Sequence, residues 1–257
     1  MDLPDEILAS LEGLETDGTN HKTASESSVY RFADAADKRA AFLKIQEPSW
    51  SPPLSLERDA MQWLSGKLDV PEVIAYHVEG STEYLVTREL PGAASYECEL
   101  DPERLIQLLA DALQDIHAIP MKGCPFDKTP VALIDRGRDR IRAGIVTQKM
   151  VAEEGMDGSP DEALDELAVS MPAIEGPVIN HGDYCLPNIL IDQGSVSSFI
   201  DLGYVGIGDP YRDYTAAQYS VRRNLGDEWV QPFFDACGVE ALDETRLKWY
   251  RQIQAFE

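Results

Sequence analysis

The sequence predicts an α+β protein with two unequal parts. The first is a small N-terminal antiparallel sheet with one helix, over residues 1–91. The second is a larger, mainly helical region over residues 92–257. Two observations carry this. Strand-like alternation dominates ahead of residue 92 and 3.6-residue periodicity after it, and a short Pro/Gly-containing connection, "LPGAAS" at 90–95, joins the two. A chain of 257 residues can bury one large core or two modest ones.

In order along the chain, "SSVYRFA" (27–33) and "AAFLKIQ" (40–46) flank the turn-like "DAADK" and predict a hairpin. "LSLERDAMQWLSGKL" then predicts a helix with Leu56, Ala60, Met61, Leu64 and Leu68 on one face. "PEVIAYHVEG" and "TEYLVTREL" alternate as a second hairpin around Gly80 and Ser81. Beyond the connection, Leu105, Leu108, Leu109, Ala112, Leu113 and Ile116 mark a long helix, with Asp101 as N-cap and Pro102 at its first position. Further helical patterns cover about 131–146, 160–170, 210–225 and 227–237, followed by "DETRLKWYRQIQAF". Between them, "PVIN", "NILID" and "SSFID" are short apolar pieces that each end in a polar residue, as strands do when they deliver side chains to a cleft.

Charge excludes several functions. Asp and Glu number 46 against 22 Lys and Arg, a net charge of −24. Such a surface repels nucleic acid and anionic membranes, so a polynucleotide partner is not expected. Adaptation to high internal salt and ordinary acidity both remain open as its origin. No apolar run reaches the roughly 18 residues of a membrane span, and the acidic start "MDLPDEILASLEGLE" lacks the basic region of a secretory signal. Four scattered cysteines without a C-x-x-C pair fit free thiols in a reducing cytoplasm better than zinc ligands or disulfides.

The chemistry concentrates in "VINHGDYCLPNILIDQGSVSSFIDLGYVGIGDP" (178–210). Asp183 and Asn188 lie five positions apart behind His181, and Asp201 ends the next apolar strand before Leu202-Gly203. Kinases use an Asp to accept the substrate hydroxyl's proton, with an Asn five residues on and a D-F-G aspartate to bind Mg2+. Mg2+ needs hard oxygen ligands and takes one or two carboxylates with phosphate oxygens, so a neutral Asn avoids overloading the site. A single Asp in such a turn is usually a cap; H-G-D-x4-N followed by D-L-G is far more specific. Lys44, inside the apolar strand "AFLKIQ", and Glu57 on the following helix match the kinase lysine and its partner. The segment "HKTASESS", where a kinase glycine-rich loop would stand, carries no G-x-G; its Ser25, Ser27 and backbone amides either contact phosphate or form a solvated loop.

These motifs, with "CPFD" (124–127) and "VPEVIAYHVEG", resemble the aminoglycoside phosphotransferases, especially the 3′-phosphotransferase branch, over about residues 20–250. The resemblance implies a two-lobed protein-kinase-like fold, ATP and Mg2+ as cofactors, and γ-phosphate transfer to a hydroxyl of an aminoglycoside, conferring antibiotic resistance. It implies Asp183 as catalytic base, Asn188 and Asp201 as metal ligands, and Lys44, oriented by Glu57, on the α- and β-phosphates. It also implies Ser25 as a phosphate contact, Phe42 as adenine stacker or core residue, and Arg88 and Leu90 on the strand that meets the adenine edge. For Asp213 in "YRDY" the resemblance implies a structural role. Glu153 and Glu154 in "VAEEGMDG" match acidic substrate contacts, or else a solvated loop.

The departures lie on the acceptor side. Gln254 and Ala255 stand where the family has an acidic pair, leaving Phe256 and Glu257 to meet substrate, and Arg222, Arg223 and Asn224 replace acidic residues on another helix. The alternative function is therefore a kinase of another small hydroxylated metabolite, a sugar or amino alcohol. A nucleotide-binding pseudokinase is disfavoured because Lys44, Glu57, Asp183, Asn188 and Asp201 are all present.

Overall fold

The N-terminal stretch forms a helix that the strand-dominated pattern did not anticipate. In the computed structural model, which describes residues 3–21, 27–34, 39–49, 51–174 and 176–257, α1 (Asp5–Ser10) buries Ile7. With the flanking Leu3 and Leu11, Ile7 packs on Phe32, Ala41, Leu43, Tyr84 and Val86 of the sheet. Leu3, Ile7 and Leu11 recur at the helical spacing of four, which places them on one face.

Four strands form that sheet: β1 (Ser28–Ala33), β2 (Ala40–Gln46), β3 (Val73–Glu79) and β4 (Thr82–Arg88), in the order β1-β2-β4-β3. All pairs are antiparallel, and β2 aligns Lys44 with Val29 on one side and Leu85 on the other. Successive strand residues face opposite sides. Ala41 and Leu43 therefore join the α1-side core, and Phe42, Lys44 and Gln46 point to the other face. Helix α2 (Leu54–Leu64) buries Leu54, Glu57, Ala60, Met61 and Leu64. The expected face is thus rotated: Leu56 is half-buried, and Leu68 lies beyond the helix, which stops where Gly66 takes a left-handed φ of 75°.

The chain groups into two compact units, Met1–Pro91 with Ser198–Gly203, and Gly92–Ser197 with Tyr204–Glu257. In the second, Asp101 caps α3 (Pro102–His117) by accepting from the Glu103 amide, with Pro102 at the first position. α4 (Pro130–Arg142), α5 (Gln148–Glu153), α6 (Pro160–Val169), α7 (Tyr211–Asn224), α8 (Val230–Ala236) and α9 (Glu244–Ile253) follow. Leu133, Val151, Leu164, Leu167, Trp249 and Phe256 share the core beneath α4, α5, α6 and α9. The connection at 90–95 contains β5 (Ala93–Ala94), which pairs with β7 (Ile189–Asp192), and β8 (Ser195–Phe199) completes that sheet. β6 (Val178–Asn180) pairs with β9 (Gly206–Gly208), a strand hidden from pattern reading by its glycines. Those glycines are sterically required: a Cβ on Gly206 would collide with the Lys128 side chain. The expected strands "PVIN" and "NILID" are thus β6 and β7, whereas β8 starts ahead of "SSFID" and ends at Phe199, leaving Asp201 two residues past the strand rather than at its end.

Candidate active site

In the first unit, Lys44 sits between two carboxylates. Its Nζ donates to Glu57 Oε1 at 2.7 Å and also pairs with Asp201. Burial opposes the ammonium charge, but Asp201 and Glu57 outweigh it and hold Lys44 above its ordinary range. Burial and the Asp201 charge push the Glu57 carboxyl up, against the pull of Lys44. Asp201 takes a φ of 59°, left-handed backbone that few residues other than Gly, Asn and Asp adopt. Strain of this kind concentrates at functional sites. Phe42 shares the Lys44 face of β2 and is half-buried, outside the α1-side core.

Nearby elements of this unit hold the remaining nucleotide-side candidates. Arg88 closes β4 with its amide on the Glu72 carbonyl at 2.9 Å and its guanidinium on the Glu72 carboxylate at 2.7 Å. Leu90 follows the strand, half-buried. Ser25 lies outside the described residues. Ser27, 4% exposed, donates to Gln46 Oε1 at 2.7 Å, so its hydroxyl is engaged within the sheet.

In the second unit the loop after β6 is bound from several sides. Asp213, fully buried on α7, accepts from the amides of His181 (3.0 Å) and Gly182 (2.7 Å), and its Oδ2 lies 3.0 Å from His117 Nε2. Burial would raise the Asp213 carboxyl, but the hydrogen bond and charge of His117 outweigh it and keep the pKa low. Asp213 thus fixes the loop backbone, in line with its expected structural role. His181 is 1% exposed, with Nδ1 accepting from the Asp183 amide at 3.3 Å. Tyr184 anchors the far side by donating to the Leu109 carbonyl at 2.6 Å.

Both oxygens of the Asp183 carboxylate are engaged. Asn188 Nδ2 donates to Oδ2 at 2.9 Å and to the Asp183 carbonyl at 3.0 Å, from a 3-10 turn (Leu186–Asn188) with Pro187 as its second residue. Cys185 Sγ lies 3.1 Å from Oδ1. Burial, reinforced by the Asp183 charge, pushes the Cys185 thiol far up, so it stays protonated and donates. This bond was not read from the sequence, where Cys185 was only one of four free thiols. The Asn188 amide oxygen faces no such demand from Asp183, and an amide oxygen suits a hard cation. Asp201, in the first unit, carries a carboxylate, so each of the two expected ligands is a hard oxygen donor of the kind Mg2+ takes.

Asp183 and Cys185 line a cavity of about 770 Å3 in this unit. α5 and the residue after it contribute Glu153 and Glu154; α7 contributes Thr215, Ala216, Gln218, Tyr219 and Arg222; α9 contributes Glu244, Leu247, Lys248 and Arg251, with Gln254 following. Burial raises the Glu154 carboxyl, assisted by Glu153 and opposed by Arg251. Glu153 and Glu154 therefore face the same cavity as Asp183. Phe256 and Glu257 do not line it. The 3-10 turn Gln254–Phe256 that ends α9 folds Phe256 into the core at 0% exposure, and Glu257 meets buried Arg212 at 2.9 Å. Glu244, Lys248 and Arg251 were missed because "DETRLKWYRQIQAF" shows a helix but not which polar face meets a cavity.

A strand-borne Lys–Glu pair in one unit, and a pinned H-G-D-x4-N loop beneath a cavity in the other, define a protein of the kinase-like phosphotransferase class. The chain belongs to the phosphotransferase enzyme family, which it matches over residues 20–250. It is 34% identical to the aminoglycoside 3′-phosphotransferase of Niallia circulans, over 98% of this chain and 97% of that protein. Its fold matches the crystal structure of an aminoglycoside-3′-phosphotransferase of type VIII, with a TM-score of 0.80, 26% identity, and coverage of 95% of this chain and 94% of that one. Aminoglycoside phosphotransferase APH(3'')-Id of Streptomyces rimosus, solved with ADP and streptomycin, matches with a TM-score of 0.73 and 28% identity, covering 98% of this chain and 96% of that one.

Proposed function

We propose that this protein is an ATP-dependent O-phosphotransferase that modifies a hydroxyl of an aminoglycoside and so confers resistance to it. The observation that carries the reading is the Asp183 carboxylate, held at both oxygens, in a cavity that also contains Glu153 and Glu154. Carboxylates beside a phosphoryl-transfer base suit a polyhydroxylated amine, whose ammonium groups they bind and whose hydroxyl the base receives.

In this reading residues 1–91 bind nucleotide and residues 92–257 carry the catalytic and acceptor sites. Lys44, steadied by Glu57, meets the α- and β-phosphates; Phe42, Arg88 and Leu90 flank the adenine, and Ser25 approaches the phosphates. Asn188 and Asp201 would hold Mg2+, which offsets phosphate charge when bound. Asp183 aligns the acceptor hydroxyl and takes its proton as the oxygen bonds to the γ-phosphorus. The bond from the γ-phosphorus to the bridging oxygen breaks, and ADP leaves. Fixing Asp183 from two sides lowers the entropy cost of reaching this geometry.

The test is phosphorylation of a panel of kanamycin-, neomycin- and gentamicin-type acceptors with ATP and Mg2+. Asp183→Ala is expected to lower kcat by about a thousandfold, with ATP affinity nearly unchanged. Near-normal turnover in that variant would refute the assignment. A second reading, a kinase of another amino alcohol or sugar, is favoured by Lys248 and Arg251 in the cavity wall. Activity on such a compound, with none on the panel, would select it.

A further inference from the structure

The cavity wall carries positive as well as negative charge, and the positive part comes mainly from one helix. Glu244, Lys248 and Arg251 lie four and three residues apart on α9, spacing that sets them along one face, and all three line the cavity. α7 adds Arg222, but its Nε is tied to Asp227 at 2.6 Å. Lys248 and Arg251 are exposed, and among the described residues neither lies within ion-pair distance of a carboxylate. Arg251 is nevertheless close enough to draw the Glu154 carboxyl down against burial. An ammonium group arriving at Glu154 therefore competes with a resident cation, and further ammonium groups meet Lys248.

We propose that Lys248 and Arg251 are specificity-determining residues that restrict the acceptor to molecules with few ammonium groups and otherwise neutral hydroxyls. This rests on the reading that the cavity holds an amino sugar. Glu153 and Glu154 bind the few charges present, and the α9 cations disfavour an acceptor charged all round, because like charges in a partly desolvated cavity repel. Neither side chain supports the core, since buried Leu247, Trp249, Tyr250 and Ile253 hold α9 in place.

The experiment compares wild type, Lys248→Ala/Arg251→Ala, and a control that loses two exposed cations outside the cavity, Arg104→Ala/Lys122→Ala. Acceptors with few and with many ammonium groups are assayed, and the ratio of kcat/KM for many over few is read. The cavity variant is expected to raise that ratio about tenfold, through KM, and the control to leave it within about twofold. The inference is overturned by an unchanged ratio, by an equal rise in the control, or by a wild type that prefers the most highly charged acceptor. Failure of every acceptor to react would sink the proposed function instead. Calorimetric binding of spermine then still decides: tighter binding to the cavity variant than to wild type and control supports the inference, and equal affinities overturn it.

Discussion

The loop over residues 181–188 and the exposed face of α9 line one cavity, yet they are built in opposite ways. In the loop, the Asp183 carboxylate, the Asn188 amide, the Cys185 thiol and the His181 imidazole bond within the loop itself, and Asp213 binds its backbone from α7. Along α9, Glu244, Lys248 and Arg251 extend from a buried apolar stripe and can be exchanged without touching it. The difference suits the tasks proposed for them. A base must be held within a fraction of an ångström of its productive position, whereas long-range charge selection tolerates mobile side chains.

From that contrast, substitutions behind the loop should damage turnover, and those on the wall should redistribute substrates. The largest effect short of removing Asp183 is expected from Asp213→Ala. It leaves two buried amides unsatisfied, at about 1–3 kcal/mol each. The urea midpoint should fall, and kcat should drop about a hundredfold as the loop shifts. A variant that loses stability but keeps kcat would break the link between Asp213 and the base. Cys185→Ala should act more gently, lowering kcat about threefold to tenfold with ATP KM unchanged, and Cys185→Ser should restore most of the loss because a hydroxyl can donate to Oδ1. If Ala and Ser behave alike, the thiol contributes packing alone.

The smallest effect on turnover is expected at Lys128, which is 3% exposed and lies over the Tyr204 ring at 5.6 Å. Burial, with repulsion from Arg212, lowers its pKa to about 7 from 10.5. Between those values the unfolded chain binds more protons than the folded one. Stability attributable to this lysine therefore rises with pH across that window, and its full penalty applies below about 7. Lys128→Met should flatten this part of the profile and raise the urea midpoint at pH 7 more than at pH 10. An identical slope in wild type and variant would exclude Lys128 as its source.

Much of the candidate site was legible because it is local. Asp183 and Asn188 are linked by spacing alone, and Lys44 stood out as a charge inside an apolar strand, with Glu57 on the next helix at the distance a pair requires. What escaped reading depends on tertiary packing. α1 has six residues, too few for a convincing period. β9 has glycines where the 126–128 segment comes close. Phe256 looked available near the end of the sequence but turns inward where α9 tightens into a 3-10 turn. The polar face of α9 was visible as a pattern, but its destination is set by packing against α7.

Gly182, between His181 and Asp183, takes a φ of 85°, and a Cβ there would run into the Tyr204 carbonyl. Any side chain would force the loop away from the segment after Asp201, so this position has almost no mutational freedom. Under the proposed function, selection on the acceptor would leave this position fixed and act instead on the α9 surface, whose exposed side chains can change without disturbing the loop.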